Sequence, residues 1–350
     1  MIRASANDLD YLATRLHARR SRMAEHERLD ELCRARSLSE LGRAIFSSGE
    51  SPTTIEFQRR LAQELADEIS DCLKHLDAAD QDFTEWLLTR FQIENAKILL
   101  RSFLNQLPLE MLQPHLIRLP SRIALEATAL LTAKSLQEFA AQLPSGYPRS
   151  RLQTIIASSR ETPTAFILEA ALDAGYFQEL FARNHQLRSA ESEIIRPLIS
   201  QEANLFQFQL VARGKFHFGI PTETLSPLFI SRKHGDWLNA VLSAPDILSA
   251  AKSAVGIVFD ELSSIGQRAE SPAIDISFFE TLGWQRYLRL ANLTFRRSHM
   301  GVGAVAAYFG VRRIEIANLI TLSESIRLNI AEREARARML PRSEWEASHV

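Results

Sequence analysis

The most enzyme-like string in the sequence is Gly301-Val302-Gly303-Ala304-Val305-Ala306, a G-x-G-x-x-A pattern. Glycines so spaced let a backbone approach a dinucleotide pyrophosphate, but only between a strand and a following helix, inside a βαβ unit. Here Arg296-Arg297-Ser298-His299-Met300 precedes them, polar and near the end of the chain. The string therefore reads as small residues that let helices pack closely. The nine histidines are scattered, and no pair has zinc-ligand spacing. Cys33 and Cys72 form no framework and read as ordinary thiols in a reducing compartment. Three asparagines, Asn95, Asn204 and Asn318, each follow an acid by one to three residues. A half-buried amide must find hydrogen-bond partners, so a structural role is expected; catalysis by an amide with no adjacent nucleophile or base has no mechanism. Arg15, Arg19, Arg20 and Arg22 are either a solvated helix face or a contact for anionic lipid or an acidic partner. No catalytic, cofactor-binding or metal-binding residue is predicted.

The elements that must position these residues are helical. From 55 to 76 the apolar residues Phe57, Leu61, Leu65, Ile69, Cys72, Leu73 and Leu76 recur every three or four positions between charged ones. One face is buried and one is wet. Ser51-Pro52 and the Thr53-x-x-Glu56 capping box supply the start. The same period predicts helices over 9–24, 29–45, 83–104, 124–130, 136–143, 165–187, 194–216, 237–242, 247–262, 278–293 and 305–339. Breaks are expected at Pro108, Pro114, Pro120, Pro144-Ser145-Gly146, Gly219-Ile220-Pro221 and Pro272. The fold class is all-α.

At 350 residues the chain can hold two or three domains, and with 46% apolar residues it can bury a substantial core. Basic and acidic residues balance, 41 against 42, which argues against a nucleic-acid partner. The N-terminus lacks the apolar core of a signal peptide. The most apolar run, 302–311, is half the length needed to cross a bilayer, so any membrane role is peripheral.

A repeat is visible at a period of about a third of the chain. Ile93-Glu94-Asn95-Ala96-Lys97-Ile98-Leu99, Gln201-Glu202-Ala203-Asn204-Leu205 and Ile314-Glu315-Ile316-Ala317-Asn318-Leu319 share an acid, an asparagine and an apolar face. Ser37-Leu38-Ser39-Glu40-Leu41 and Ser135-Leu136-Gln137-Glu138-Phe139 echo one another as serine-capped helix starts, with no convincing third copy.

The opening Asp10-Tyr11-Leu12-Ala13-Thr14-Arg15-Leu16-His17-Ala18-Arg19-Arg20 resembles that of the C (or d) subunit of the A-type and V-type rotary ATPases, the part that connects the central stalk to the membrane ring. The acid–asparagine helices resemble that family's recurring motif, and Leu210-Val211-Ala212-Arg213-Gly214-Lys215 its helix end. Ala304-Val305-Ala306-Ala307-Tyr308 with Glu315 and Asn318 is similar to its last motif. After Asn318 the family's basic continuation is missing, and Gly310 is expected to interrupt the helix. The resemblance implies a funnel of three similar helical bundles with pseudo-threefold symmetry, divided as 1–120, 121–225 and 226–350. It also implies a cytoplasmic protein, peripheral on the inner membrane face, between the shaft subunits and the proteolipid ring, with no cofactor and no catalysis. Tyr11, Arg15, Arg19, Asn95, Asn204, Arg213, Glu315 and Asn318 become its structural or partner-contact candidates. A free-standing scaffold that binds a partner helix is the alternative.

Overall fold

The computed structural model describes residues 6–46, 53–159, 161–230, 235–262 and 276–340; the expected signals at Ser51, Pro52 and Pro272 lie outside them. Among the described residues the chain forms α1 (Ala6–Arg20), α2 (His26–Leu32), α3 (Leu38–Ile45), α4 (Thr54–Cys72), α5 (Ala78–Asn105), α6 (Ala127–Leu131), α7 (Leu136–Gln142) and α8 (Tyr147–Ser158). There follow α9 (Ala165–Asn184), α10 (Ser189–Val211), α11 (Thr222–Leu225), α12 (Asp236–Ser243), α13 (Ile247–Ser253), α14 (Ile276–Ser298), α15 (Val302–Arg327) and α16 (Glu332–Ala337). Among the described residues there is no strand, only an isolated bridge between Val255 and Phe259. The chain is all-α.

Local chemistry explains several of the boundaries. The Thr53 hydroxyl accepts the Glu56 N–H at 3.2 Å and starts α4. The seven core positions expected over 55–76 are all buried, although α4 ends at Cys72 and Leu73 and Leu76 lie in and after the 3-10 turn that follows it. Ser37 and Ser135 accept the N–H groups of Glu40 and Glu138 at 3.1 and 3.2 Å. Each glutamate reaches back to a backbone N–H, that of Arg36 or Lys134. A third such start, not visible as a serine motif, is made by Asp246, whose carboxylate accepts the Ser249 N–H at 2.8 Å. Each third of the chain thus carries a capped short helix, followed later by a long helix; the repeat asparagines sit on α5, α10 and α15.

Several expected helices are divided. The extended backbone at Ser37 separates α2 from α3. A turn through Gly256, at φ +81°, follows α13, and Asn329, at φ +52°, follows α15. The expected interruption at Gly310 does not occur: α15 runs through it, and Gly310 is buried. Helix α8 follows its predicted break directly, with Pro148 in its first turn, where the missing N–H costs nothing.

The chain divides into two compact units: residues 1–98, 108–124 and 291–350, and residues 99–107 with 125–290. In the first, α15 is apolar on all sides over 302–311 and is enclosed, with α4 and α1 packed against it. Phe91 meets Phe309 edge-on at 6.0 Å. In the second, α8 lies against α9 so closely that a Cβ on Gly175 would stand 2.4 Å from the Pro148 Cα. Phe208, Phe259 and Phe279 form a cluster with centroids 4.9–6.0 Å apart.

Candidate functional site

A dense polar constellation lies in the first unit, where α1, α4 and α15 face one another. Arg15 and Arg19 project from α1 and share Asp71 of α4 at 2.7 and 3.4 Å; Arg19 also donates to the Glu68 carbonyl at 3.2 Å. From α15, the Tyr308 hydroxyl donates to Glu68 Oε2 at 2.8 Å. Arg312 lies 2.5 Å from Glu315, 3.5 Å from Glu68 and 3.7 Å from Glu64. Glu315 also accepts the backbone N–H of Ala24, tying the exit of α1 to the last long helix.

Burial opposes the charge on Arg312, but Glu315 and Glu68 outweigh it and raise its pKa further. Burial and the neighbouring Glu68 push the Tyr308 phenol well above its ordinary range. Both therefore keep their protons at neutral pH. Burial lifts Glu64 above the usual carboxylate range, against the pull of Arg312 and Arg60. Burial acts upward on Asp71 too, but Lys74, Arg15 and Arg19 together hold it low. The acids are occupied by guanidinium, phenol and backbone donors, so the cluster positions helices rather than transferring protons.

The repeat asparagines have a shared task in two of three cases. Asn95 donates to the Ile117 carbonyl at 2.7 Å and accepts the Ile117 N–H at 3.0 Å. Asn318 does the same to Leu340, at 2.5 and 2.9 Å. Both grip a single residue lying 22 positions further on. Asn204 instead lines a cleft of about 400 Å³ on the second unit.

In the Arg213-Gly214-Lys215 helix end, each residue has a separate use. Arg213 pairs with Glu280 at 2.5 Å. A Cβ on Gly214 would strike the Leu225 side chain at 2.6 Å. The Lys215 ammonium donates to the Leu242 and Ala244 carbonyls, both at 2.6 Å, closing the C-terminus of α12. Tyr11 is 53% exposed, its ring against that of His75 at 4.9 Å. Arg20 pairs with Glu25 and donates to Asn292. His17 and His217 pack on the rings of Phe295 and Phe218. The glycine string follows a helix, not a strand: Gly301 takes the φ +80° turn between α14 and α15, and Gly303 is buried within α15.

Sequence reasoning does not single out Arg312 or Glu68, nor Tyr308 as a site residue. The available signal is a charged pair, Arg312-Arg313, that ends the apolar run 302–311 of α15, with Glu315 one turn on.

A family model described as ATP synthase (C/AC39) subunit matches residues 12–338. The chain belongs to this family. Its members are structural parts of a rotary ATPase and not the catalytic ones, so the chain is not an enzyme. Three relatives are each named as the C subunit of an A-type ATP synthase. The one from Methanosphaera stadtmanae is 21% identical over 91% of this chain and 83% of its own length. That from Methanothermobacter thermautotrophicus is 20% identical over the same shares, and that from Methanocaldococcus jannaschii 21% over 94% and 86%. Their identity to this chain is low, but each match covers more than nine-tenths of it. Among the described residues no helix is long and apolar enough to cross a membrane.

Proposed function

We propose that this member of the ATP synthase (C/AC39) subunit family connects the central stalk of its rotary ATPase to the membrane. It is seated peripherally on the proteolipid ring at the inner membrane face and receives the foot of the central shaft. The observation that carries this reading is the family match over 12–338, supported by relatives named as the C subunit of A-type ATP synthases along more than nine-tenths of the chain. Its mechanism is mechanical. Torque passes through a body whose packed helices resist compression. The Arg312 cluster ties α1, α4 and α15 together, so a load on one is carried by the others. The threefold recurrence of a capped short helix with an asparagine-bearing long one supports the three-bundle funnel, divided as 1–120, 121–225 and 226–350. Tyr11, with its exposed ring, is a contact residue of this reading; Arg15, Arg19, Asn95, Arg213, Glu315 and Asn318 maintain the body.

Affinity purification of the tagged protein from gently solubilised native membranes tests this. Proteolipid and nucleotide-binding subunits should come with it, and harsher detergent that dissociates the ring should release them. A protein recovered alone, or with partners unrelated to the ATPase, would contradict the reading and favour the free-standing scaffold.

A further inference from the structure

The second repeat departs from its two sisters in one respect that bears on binding. In the first and third repeats the asparagine amide grips both the N–H and the C=O of one aliphatic residue, Ile117 or Leu340. In the second repeat the position 22 residues beyond Asn204 is Ser226; the aliphatic residue that follows the short helix there is Ile230, 26 positions on, and its peptide groups are satisfied by other side chains. Its N–H donates to Gln207 Oε1 at 3.3 Å, and its carbonyl accepts from Arg151 at 2.9 Å. Gln207 stands one turn beyond Asn204 on the same helix and has taken over half of the task. Among the described residues, Asn204 is left without a hydrogen-bond partner. It lies half-buried on the face of α10 that lines the cleft, between Ser200 and Gln207.

We infer that Asn204 is a vacant copy of this clamp and that the cleft takes an extended segment of a partner polypeptide, gripping one aliphatic residue by its backbone. The chemistry of the walls fits that occupant. A carboxamide offers one donor and one acceptor side by side, the complement of a single residue's C=O and N–H, as Asn95 and Asn318 demonstrate. None of the ten described residues lining the cleft is charged, so they offer no compensation for the hydration that a phosphate, a nucleotide or a charged side chain would lose. Phe181, Trp237 and Leu238 supply apolar surface for a branched aliphatic side chain, the type that Ile117, Ile230 and Leu340 present to their own clamps. The clamp follows from the repeat geometry alone and stands whether or not the chain serves in a stalk.

The segment that Asn95 grips provides the probe: a synthetic nonapeptide of residues 113–121, Gln-Pro-His-Leu-Ile-Arg-Leu-Pro-Ser, titrated into the full chain labelled with fluorotryptophan. The Trp237 fluorine signal, assigned with Trp237→Phe, should shift saturably. Asn204→Ala should weaken binding roughly ten-fold, the scale of one or two lost hydrogen bonds. A peptide N-methylated at the gripped isoleucine should lose a similar factor against the unaltered protein, which keeps the test valid if the variant folds poorly. Absence of a Trp237 shift at millimolar peptide overturns the inference. So does equal affinity for the N-methylated peptide.

Discussion

Arg312→Met should destabilise the first unit by about 3–5 kcal/mol in urea unfolding, the usual scale for removing one partner of a buried ion pair. Methionine fills much of the same space, so lost packing accounts for little of this. What remains is Glu315 and Glu68 without the shared cation that neutralised them. The paired variant Arg312→Met with Glu315→Gln should recover part of the loss, because the neutral amide can still accept the Ala24 N–H. A cost below about 1 kcal/mol for the single variant would show that water reaches the cluster and that it does not lock α15 in place. The pH dependence carries a sign. Asp71 is held below its ordinary range, so its contribution is complete above the unfolded value and disappears as pH falls through the folded one. Glu64, shifted upward, acts in the opposite sense. Acid should therefore weaken the Arg15–Arg19–Asp71 contact while easing the burial of Glu64.

Gly175→Ala should cost about 3 kcal/mol, the upper part of the range for overpacking a well-filled core. Its new Cβ would meet main chain: the Pro148 Cα at 2.4 Å, the Pro148 N at 2.6 Å and the Tyr147 C at 2.8 Å. No side-chain rotation relieves this contact, so α8 must move bodily away from α9. Gly219→Ala is the control. Gly219 has φ +64° with open space around it, so only backbone strain of about 1–2 kcal/mol is expected. Thermal unfolding of the two variants side by side decides the matter. Equal losses would mean that α8 and α9 are less tightly joined than their geometry states.

The helical fold is legible in the sequence because period and caps are local signals. The buried face of α4 can be read from Phe57 to Cys72, since these residues obey one spacing and Thr53 marks the start, whereas the 3-10 turn that ends the helix before Leu76 has no such signal. Helix α8 is masked because Pro144, Gly146 and Pro148 together look like a loop, although a proline in the first helical turn is a start signal. The third capped start is hidden because aspartate replaces serine at Asp246. The site is less legible for a different reason. Asn95, Asn204 and Asn318 stand out by repetition, but the backbone groups that Asn95 and Asn318 grip carry no side-chain signature. The pairing of Tyr308 with Glu68 spans 240 residues of sequence and obeys no helical spacing. The arginines of α1 look solvated or lipid-facing by pattern, whereas Arg15 and Arg19 are engaged by Asp71, itself one of many surface-type acids on α4.

On the proposed function, this chain connects a rotor without taking part in hydrolysis. The most direct measurement compares ATP hydrolysis with ion uptake in membrane vesicles from a host lacking the gene. Hydrolysis by the nucleotide-binding subunits should persist while ion uptake is lost, and adding back the unaltered protein should restore uptake. Vesicles that pump normally without the chain would contradict the account.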